Sequence, residues 1–593
     1  MDEQALPDMP SAPEAATAPA KPAPAKRRGN LIGTLLYGRN VDRTAKARAR
    51  VGLAILAFGA VYAVIAARLV MFAVAPESHF SKRGVAREAV ATARPDILDR
   101  NGLVLATDVR APSLFAEPRR LIDVDEATEL LTAVLPDMDP AELRERLASR
   151  RGFVWLKREI STKQRQDIYR LGLPGVGFLA ENKRVYPNSA EVSHLIGHVN
   201  IDNQGIAGME KWLDNHGLQA LHMAGLATDQ QQKPVELAVD LRVQHAMRDE
   251  LIWAAQKFKV KAAAGVVVDV NTGEIISMVS LPDYDPNSPQ QANDPTRINR
   301  ITTGVFELGS TFKALTLAMA LDSGRVQLTS TFDARASLRY GKFTIHDYHA
   351  QNRFLTVPEI FTYSSNIGTA RMALFMGVEY HKWFLKKMGQ LDRLRTELPE
   401  SAEPIVPKRW GELNTVTIAF GHGLSVAPLQ AVAAISALVN GGYLIPPTFL
   451  KRSQEDAMKL AKVVIKPETS EKMRYLMRIN AERGSARKAD IPGYYVGGKT
   501  GTAEKVVNGR YSKTKLLTTF TAIFPSDKPR YQMMVILDEP QGIPETHGFA
   551  TSAWNAGATA GRVVTRIAPM LGVEPRFDMP TADQLFLGKG KSS

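Results

Sequence analysis

The 593-residue chain contains no cysteine. That excludes disulfides, thiolate nucleophiles and cysteine-held metals, and it permits an oxidising compartment without requiring one. Aromatic residues make up only 7%, and neither a zinc-finger spacing nor an RNA-binding aromatic string occurs. The formal net charge of +14 therefore points to anionic lipid or an anionic wall polymer ahead of nucleic acid. His194-x-x-x-His198 has metal-ligand spacing, but Leu195 stands where a zinc protease needs glutamate, so the pair reads as structural. What the chain does have is 45% hydrophobic and 23% charged residues. That composition is globular, and the length suits two or three domains.

Residues 1–50 begin with an Ala-, Pro- and Lys-rich stretch that has little to bury and reads as disordered. Arg27, Arg28, Arg39, Arg43, Lys46, Arg48 and Arg50 then thicken the positive charge. Residues 51–75 follow, charge-free from Val51 to Ala67 and interrupted only by Arg68. About 20 apolar residues cross a bilayer core, and the basic flank stays cytoplasmic, which places the remainder outside. Ala73-Val74-Ala75 resembles a signal-peptidase site, but the long N-terminal region, the long apolar run and Pro76 favour an uncleaved anchor.

Residues 76–240 read as a mixed α/β pedestal. Arg94 to Ala106 is strand, turn and strand about Asn101-Gly102, a strong hairpin signal. Asp139-Pro140 caps a helix, and Ser161-x-x-Gln164 is a capping box. Residues 241–575 form a second domain. Val243, Met247, Leu251, Ala254 and Phe258 share a helical face, and Ala264–Val270 with Glu274–Val279 is a hairpin. Together with later strands at 518–524 and 531–537, the pattern predicts helices packed on a mostly antiparallel sheet. A helix over about 553–571 closes the domain, and residues 576–593 read as a tail.

Three short strings carry the chemistry. Gly309-Ser310-Thr311-Phe312-Lys313 opens a run of helix formers, which puts Ser310 in a first helical turn with Lys313 at i+3 on the same face. A hydroxyl and an amine so placed can share a proton, beside the free N–H groups of the helix start. Ser364-Ser365-Asn366 supplies Ser-x-Asn, and Lys499-Thr500-Gly501-Thr502 supplies Lys-Thr-Gly-Thr. Each string alone is commonplace; the ordered trio is not. Gly493 to Thr500 also fits the phosphate-loop pattern, but Gly501 follows at once and 505–511 reads as strand and turn, which excludes the helix such a loop needs.

The trio resembles that of penicillin-binding proteins and serine β-lactamases. With the anchor, the strings Arg94–Gly102, Arg184–Pro187 and Gly205–Glu210, and Lys499–Lys505 with Asp538–Gln541, the chain resembles the class B, division-specific FtsI type over roughly 51–575. Leu308 and Pro95 stand where the family usually has proline and glycine. The resemblance implies an α/β (α+β) transpeptidase fold, with an antiparallel sheet between helices, and no metal or cofactor. It implies Ser310 as nucleophile on the penultimate D-Ala of a D-Ala-D-Ala stem and Lys313 as its base. Ser364 would relay the proton to the leaving amine, and Asn366 would hold the stem amide. Lys499, Thr500 and Thr502 would grip the terminal carboxylate, with Gly501 allowing close approach. The N–H groups of Ser310 and Thr502 would form the oxyanion hole. The acceptor would be an amine, diaminopimelate in a Gram-negative cell. β-Lactams would acylate Ser310, and an FtsW-type glycosyltransferase and other divisome membrane proteins would be partners. The alternatives are an elongation-type transpeptidase, a serine β-lactamase or D,D-carboxypeptidase, and a non-catalytic divisome scaffold. No Glu-x-x-Leu-Asn string of class A β-lactamases occurs, since Trp410 holds that place before Leu413-Asn414.

Overall fold

The structure is a computed structural model that describes residues 43–74, 93–218, 233–341 and 343–588. It divides into two units, Met1–Arg87 and Glu88–Ser593. In the first, helix α1 spans Arg43–Val74. Its stretch Arg50–Ala67 has a mean hydropathy of 2.0 and no buried residue, long and apolar enough by length and composition to cross a bilayer. The expected N-terminal disorder and the residues just after Val74 lie outside the described residues.

In the second unit, β1 (Ile97–Leu98) and β2 (Val104–Ala116) form the expected hairpin, with Gly102 at φ +86°. β3 (Val154–Lys157) and β4 (Val176–Val185) both pair with β2, and β5 (Val235–Glu236) runs parallel to β1. Helices α2 (Val124–Val134), α3 (Pro140–Leu147) and α4 (Thr162–Arg170) pack there around their own small core of Leu114, Leu131, Leu143 and Ile168. Asp139 caps α3, and the Ser161–Gln164 box opens α4. His194 and His198 both pack edge-on against Tyr284, a structural use of the pair.

Beneath these strands lies a knot of buried charge. The Arg94 guanidinium donates to Glu210 and Asp214, each at 2.7 Å, and Arg184 donates to Glu210 at 2.7 Å and Asp108 at 3.1 Å. Arg184 also donates to the Pro95 carbonyl at 2.9 Å, so the hairpin stays tied down with proline at that position. The surrounding core, with Ile97, Leu105 and Met209, is continuous with that of residues beyond 240.

Helix α5 (Leu241–Phe258) buries the five apolar positions of its expected face. A five-stranded, wholly antiparallel sheet follows in the order β8-β9-β10-β6-β7, with β6 Ala262–Asp269, β7 Ile275–Leu281, β8 Gly497–Val507, β9 Arg510–Phe524 and β10 Tyr531–Asp538. Successive side chains of a strand point to opposite faces. Ala263, Val267, Met533, Val535 and Leu537 therefore enter one core with α5 and α10 (Ala556–Met570). Ala264, Val266, Val268, Met534 and Ile536 enter the other, beneath α6 (Lys313–Asp322), α8 (Pro428–Val439) and α9 (Pro467–Arg483). Both faces are covered, so the sheet is an inner layer, and its edge strand β8 carries the Lys499–Thr502 string.

Two local expectations are corrected. Ser310 lies not in an α-helical turn but in a 3-10 turn, Gly309–Phe312, with α6 starting only at Lys313. Gly309 at φ +55° bends the chain just ahead of α6, and the tighter winding results. The stretch after 575 is not a free tail as far as residue 588. Arg576 pairs with Asp527 at 2.7 Å, Tyr475 donates to Asp583 at 2.9 Å, and Ala582 is fully buried. Its anchors are a few polar contacts with Ala582 and Phe586 set on the core, too few apolar positions for a reading by hydrophobic pattern to register.

Candidate active site

The site is built where β8, the Ser310 turn and the start of α7 (Asn366–Met376) meet. Two glycines make the approach possible. A Cβ on Gly309 would lie 2.6 Å from the Thr502 carbonyl oxygen, and one on Gly501 would lie 2.4 Å from that of Leu308. Any side chain at either position would push the serine turn off the strand. The Leu308 carbonyl in turn accepts from Thr311 Oγ1 at 2.8 Å and Thr519 Oγ1 at 3.2 Å. Leu308, buried in place of the expected proline, thus holds the turn through its backbone.

Ser364 is the hub. Lys313 Nζ donates to Ser364 Oγ at 3.0 Å and also to the Ser364 carbonyl, and Lys499 Nζ donates to the same Oγ at 2.9 Å. Two amines, 51 and 135 positions away along the chain, converge on one hydroxyl. Ser364 adopts φ +55°, a left-handed conformation costing roughly 1–2 kcal/mol for a non-glycine residue. Ser365 is the N-cap of α7, with its hydroxyl accepting from Gly368 N–H at 2.9 Å and donating to Asp347 at 2.6 Å.

Both amines are fully buried, at 0% exposure. Burial pushes the Lys313 ammonium well below the usual lysine range; the charge of Lys499 adds to this and Asp347 opposes it. Burial alone brings Lys499 down to about 7. The Lys499 ammonium sits 5.6 Å from the centre of the Phe361 ring, a partial substitute for lost water. Such a pair can pass a proton through the Ser364 hydroxyl, which accepts from one amine and donates to the other as protonation requires.

The remaining residues predicted from sequence lie beside this hub. Ser310 is half-buried, and its Oγ makes no hydrogen bond to the described residues; the Lys313 amine rests on Ser364 instead. Thr500 Oγ1 is 2.8 Å from Ser485 Oγ, and Thr502 Oγ1 accepts from Ser552 N–H at 3.1 Å. Asn366 Nδ2 donates to the His346 carbonyl at 2.9 Å, so part of its capacity is spent within the protein. The phosphate-loop reading fails structurally: Lys499 and Thr500 lie inside β8, paired with Thr521 and Phe520, and no helix starts there.

Asp347, Glu307 and His422 were missed by the sequence reading. Asp347 anchors the start of α7 by accepting from Ile367 N–H at 2.9 Å as well as from Ser365. His422 is held near 4 by burial and by the Lys313 charge, hence neutral. It occupies Gly421-His422-Gly423, and that punctuation before a helix was the only local signal.

Comparison with known proteins places the chain in a family. The penicillin-binding protein transpeptidase domain matches residues 263–559, and the penicillin-binding protein dimerisation domain matches residues 89–223. Fold and site therefore define a penicillin-binding transpeptidase with a pedestal of the dimerisation type. The probable peptidoglycan D,D-transpeptidase FtsI of Caulobacter vibrioides is 40% identical over 504 residues, which cover 83% of this chain and 84% of that protein. The probable peptidoglycan D,D-transpeptidase PenA of Neisseria gonorrhoeae is 30% identical over 91% of this chain and 96% of its own. FtsI of Escherichia coli is 29% identical over 81% and 85%. A peptidoglycan synthetase from Bifidobacterium adolescentis shares the fold, with a TM-score of 0.63 at 23% identity over 83% of this chain and 98% of its own. The chain belongs to the class B penicillin-binding proteins of the FtsI type.

Proposed function

We propose that the protein is a septal peptidoglycan D,D-transpeptidase working through an acyl-enzyme at Ser310. The observation carrying this reading is the Ser364 hydroxyl held between two buried, depressed lysines. Ser310 Oγ attacks the carbonyl of the penultimate D-Ala as neutral Lys313 takes its proton. The N–H groups of Ser310 and Thr502 receive the oxyanion. The C–N bond breaks, and the departing D-Ala amine takes the proton by way of Ser364. Lys499, Thr500 and Thr502 hold the terminal carboxylate, and the Asn366 carbonyl orients the stem amide. Gly501 lets the donor peptide lie along β8. An acceptor amine of a neighbouring stem, diaminopimelate in a Gram-negative cell, then attacks the ester; the C–O bond to Ser310 breaks, and the amine's proton passes by way of Lys313 to Oγ, freeing Ser310. β-Lactams present the same carbonyl and carboxylate and acylate the same oxygen.

The septal assignment brings in an FtsW-type glycosyltransferase, other divisome membrane proteins and a single α1 anchor with the catalytic unit outside the cytoplasm. Labelling with a fluorescent penicillin tests the chemistry. The wild-type chain should label stoichiometrically and Ser310→Ala not at all; labelling of the alanine variant would refute it. A fluorescent fusion concentrated along the lateral wall rather than at mid-cell would move the role to elongation.

A further inference from the structure

One carboxylate next to the nucleophile is left unused by this mechanism. Glu307 stands three residues before Ser310, between two places where the chain pairs with the segment 421–426. On one side Phe306 and Val426 exchange backbone hydrogen bonds of 3.0 and 3.1 Å, and on the other Gly309 N–H donates to the Gly421 carbonyl at 3.2 Å. Between them the Glu307 side chain bridges the gap, as Oε1 accepts from Gly423 N–H at 2.8 Å. The same oxygen accepts from the Tyr511 hydroxyl at 3.0 Å. Tyr511 belongs to the β8–β9 hairpin, opposite Val506, and its ring contacts that of His422 with centres 5.8 Å apart. Oε2 is buried with no hydrogen-bond partner among the described residues. A carboxylate buried with one oxygen unmatched costs stability, so its place here calls for a return elsewhere.

We propose that Glu307 is a positioning residue for acylation, tying the Ser310 turn to the Gly423 loop and, through Tyr511, to the β8–β9 hairpin. Backbone bonds already hold the turn to the 421–426 segment, and Gly309 and Leu308 lie against β8 on its other side; what Glu307 adds is a side-chain link from the turn to the β8–β9 hairpin through Tyr511. β8 carries Lys499 to Thr502, so the hairpin and the nucleophile must hold one register for the serine to meet a carbonyl gripped by that strand. Glu307 closes this loop of contacts with a single oxygen. It touches neither substrate nor Ser310, and its effect is exerted through the backbone.

The inference rests on the acyl-enzyme reading above, and the test separates the two. The full chain in detergent is mixed with a fluorescent penicillin in stopped flow, and the limiting acylation rate is resolved from the pre-covalent dissociation constant. Glu307→Ala should lower the limiting rate on the order of tenfold to a hundredfold, the span of one charge-assisted contact to a misplaced nucleophile. The dissociation constant should change by less than about threefold, because the carboxylate grip on β8 is intact. Tyr511→Phe, at a half-exposed site, should fold normally and lose about tenfold. The double variant should be no slower than Glu307→Ala, since both remove one linkage. Glu307→Gln, which keeps an acceptor oxygen, should recover most of the rate. Multiplicative losses in the double variant, an unaltered rate in Tyr511→Phe, or a loss confined to the dissociation constant would overturn the proposal. Should Glu307→Ala not fold, Tyr511→Phe and Glu307→Gln decide it alone. If the wild-type chain acylates somewhere other than Ser310, the failure lies in the acyl-enzyme reading instead.

Discussion

The sharpest consequence of the two buried lysines is a pair of pH profiles that do not coincide. On the mechanism proposed above, acylation needs Lys313 neutral, to take the serine proton, and Lys499 charged, to hold a carboxylate. Lys499 titrates near 7 before anything binds, against an ordinary value of about 10.4. That gap corresponds to roughly 5 kcal/mol favouring the neutral amine. An anion arriving about 4 Å from Nζ, at an effective dielectric of about 20, returns about 4 kcal/mol. The bound state should therefore hold the Lys499 proton to markedly higher pH than the free state, by up to about three units.

The second-order acylation constant reports the free protein. It should fall as pH rises above about 7. The limiting first-order rate reports the complex and should stay level at least about one unit further into alkali. Both should fall in acid as Lys313 gains its proton. Stopped-flow acylation by a fluorescent penicillin from pH 5 to 10 measures the two together. Alkaline limbs at the same pH would mean that the ligand carboxylate does not reach Lys499. A second-order constant still rising at pH 10 would mean that Lys499 is not depressed, and the electrostatic account of the site would fail.

Glu210→Ala leaves Arg94 and Arg184 buried without their shared carboxylate; it should cost about 3–5 kcal/mol, read as a lower urea midpoint. His381 is buried and held neutral near 4 by desolvation, with neither ring nitrogen partnered among the described residues. The unfolded chain binds its proton near 6.5 and the folded chain only near 4, so stability should fall as pH drops through that window, by about 3 kcal/mol at full effect. His381→Phe should flatten this part of a melting-temperature profile; an unchanged acid slope would refute the assignment. Gly421 sits at φ +92°, and a Cβ there would lie 2.0 Å from the Gly309 carbonyl oxygen. Gly421→Ala should shift the serine turn and slow penicillin acylation on the order of a hundredfold, with the melting temperature reporting how much of the loss is unfolding.

What could be read from sequence follows the range of the interaction that fixes it. Asn508-Gly509 is a local signal inside the 505–511 stretch that reads as strand and turn, and both residues take positive φ, +51° and +76°, where β8 turns into β9. The rejection of a phosphate loop at 493–500 was also local, because a strand-forming run followed Gly501. The depression of Lys313 comes first from burial and then from the Lys499 charge, and both depend on how distant segments pack. The resting place of that amine was not legible. Spacing of i to i+3 points Lys313 at Ser310, but the amine donates to a residue 51 positions away. Glu307 meets Gly423 and Tyr511 across 116 and 204 positions, and nothing around it in sequence marks it. The strings name the groups to which the proposed mechanism gives the chemistry. Their registration rests on single contacts between distant segments, such as one carboxylate oxygen or one glycine lacking a Cβ. Substitutions at those contacts should therefore separate acylation rate from overall stability more cleanly than substitutions in either core.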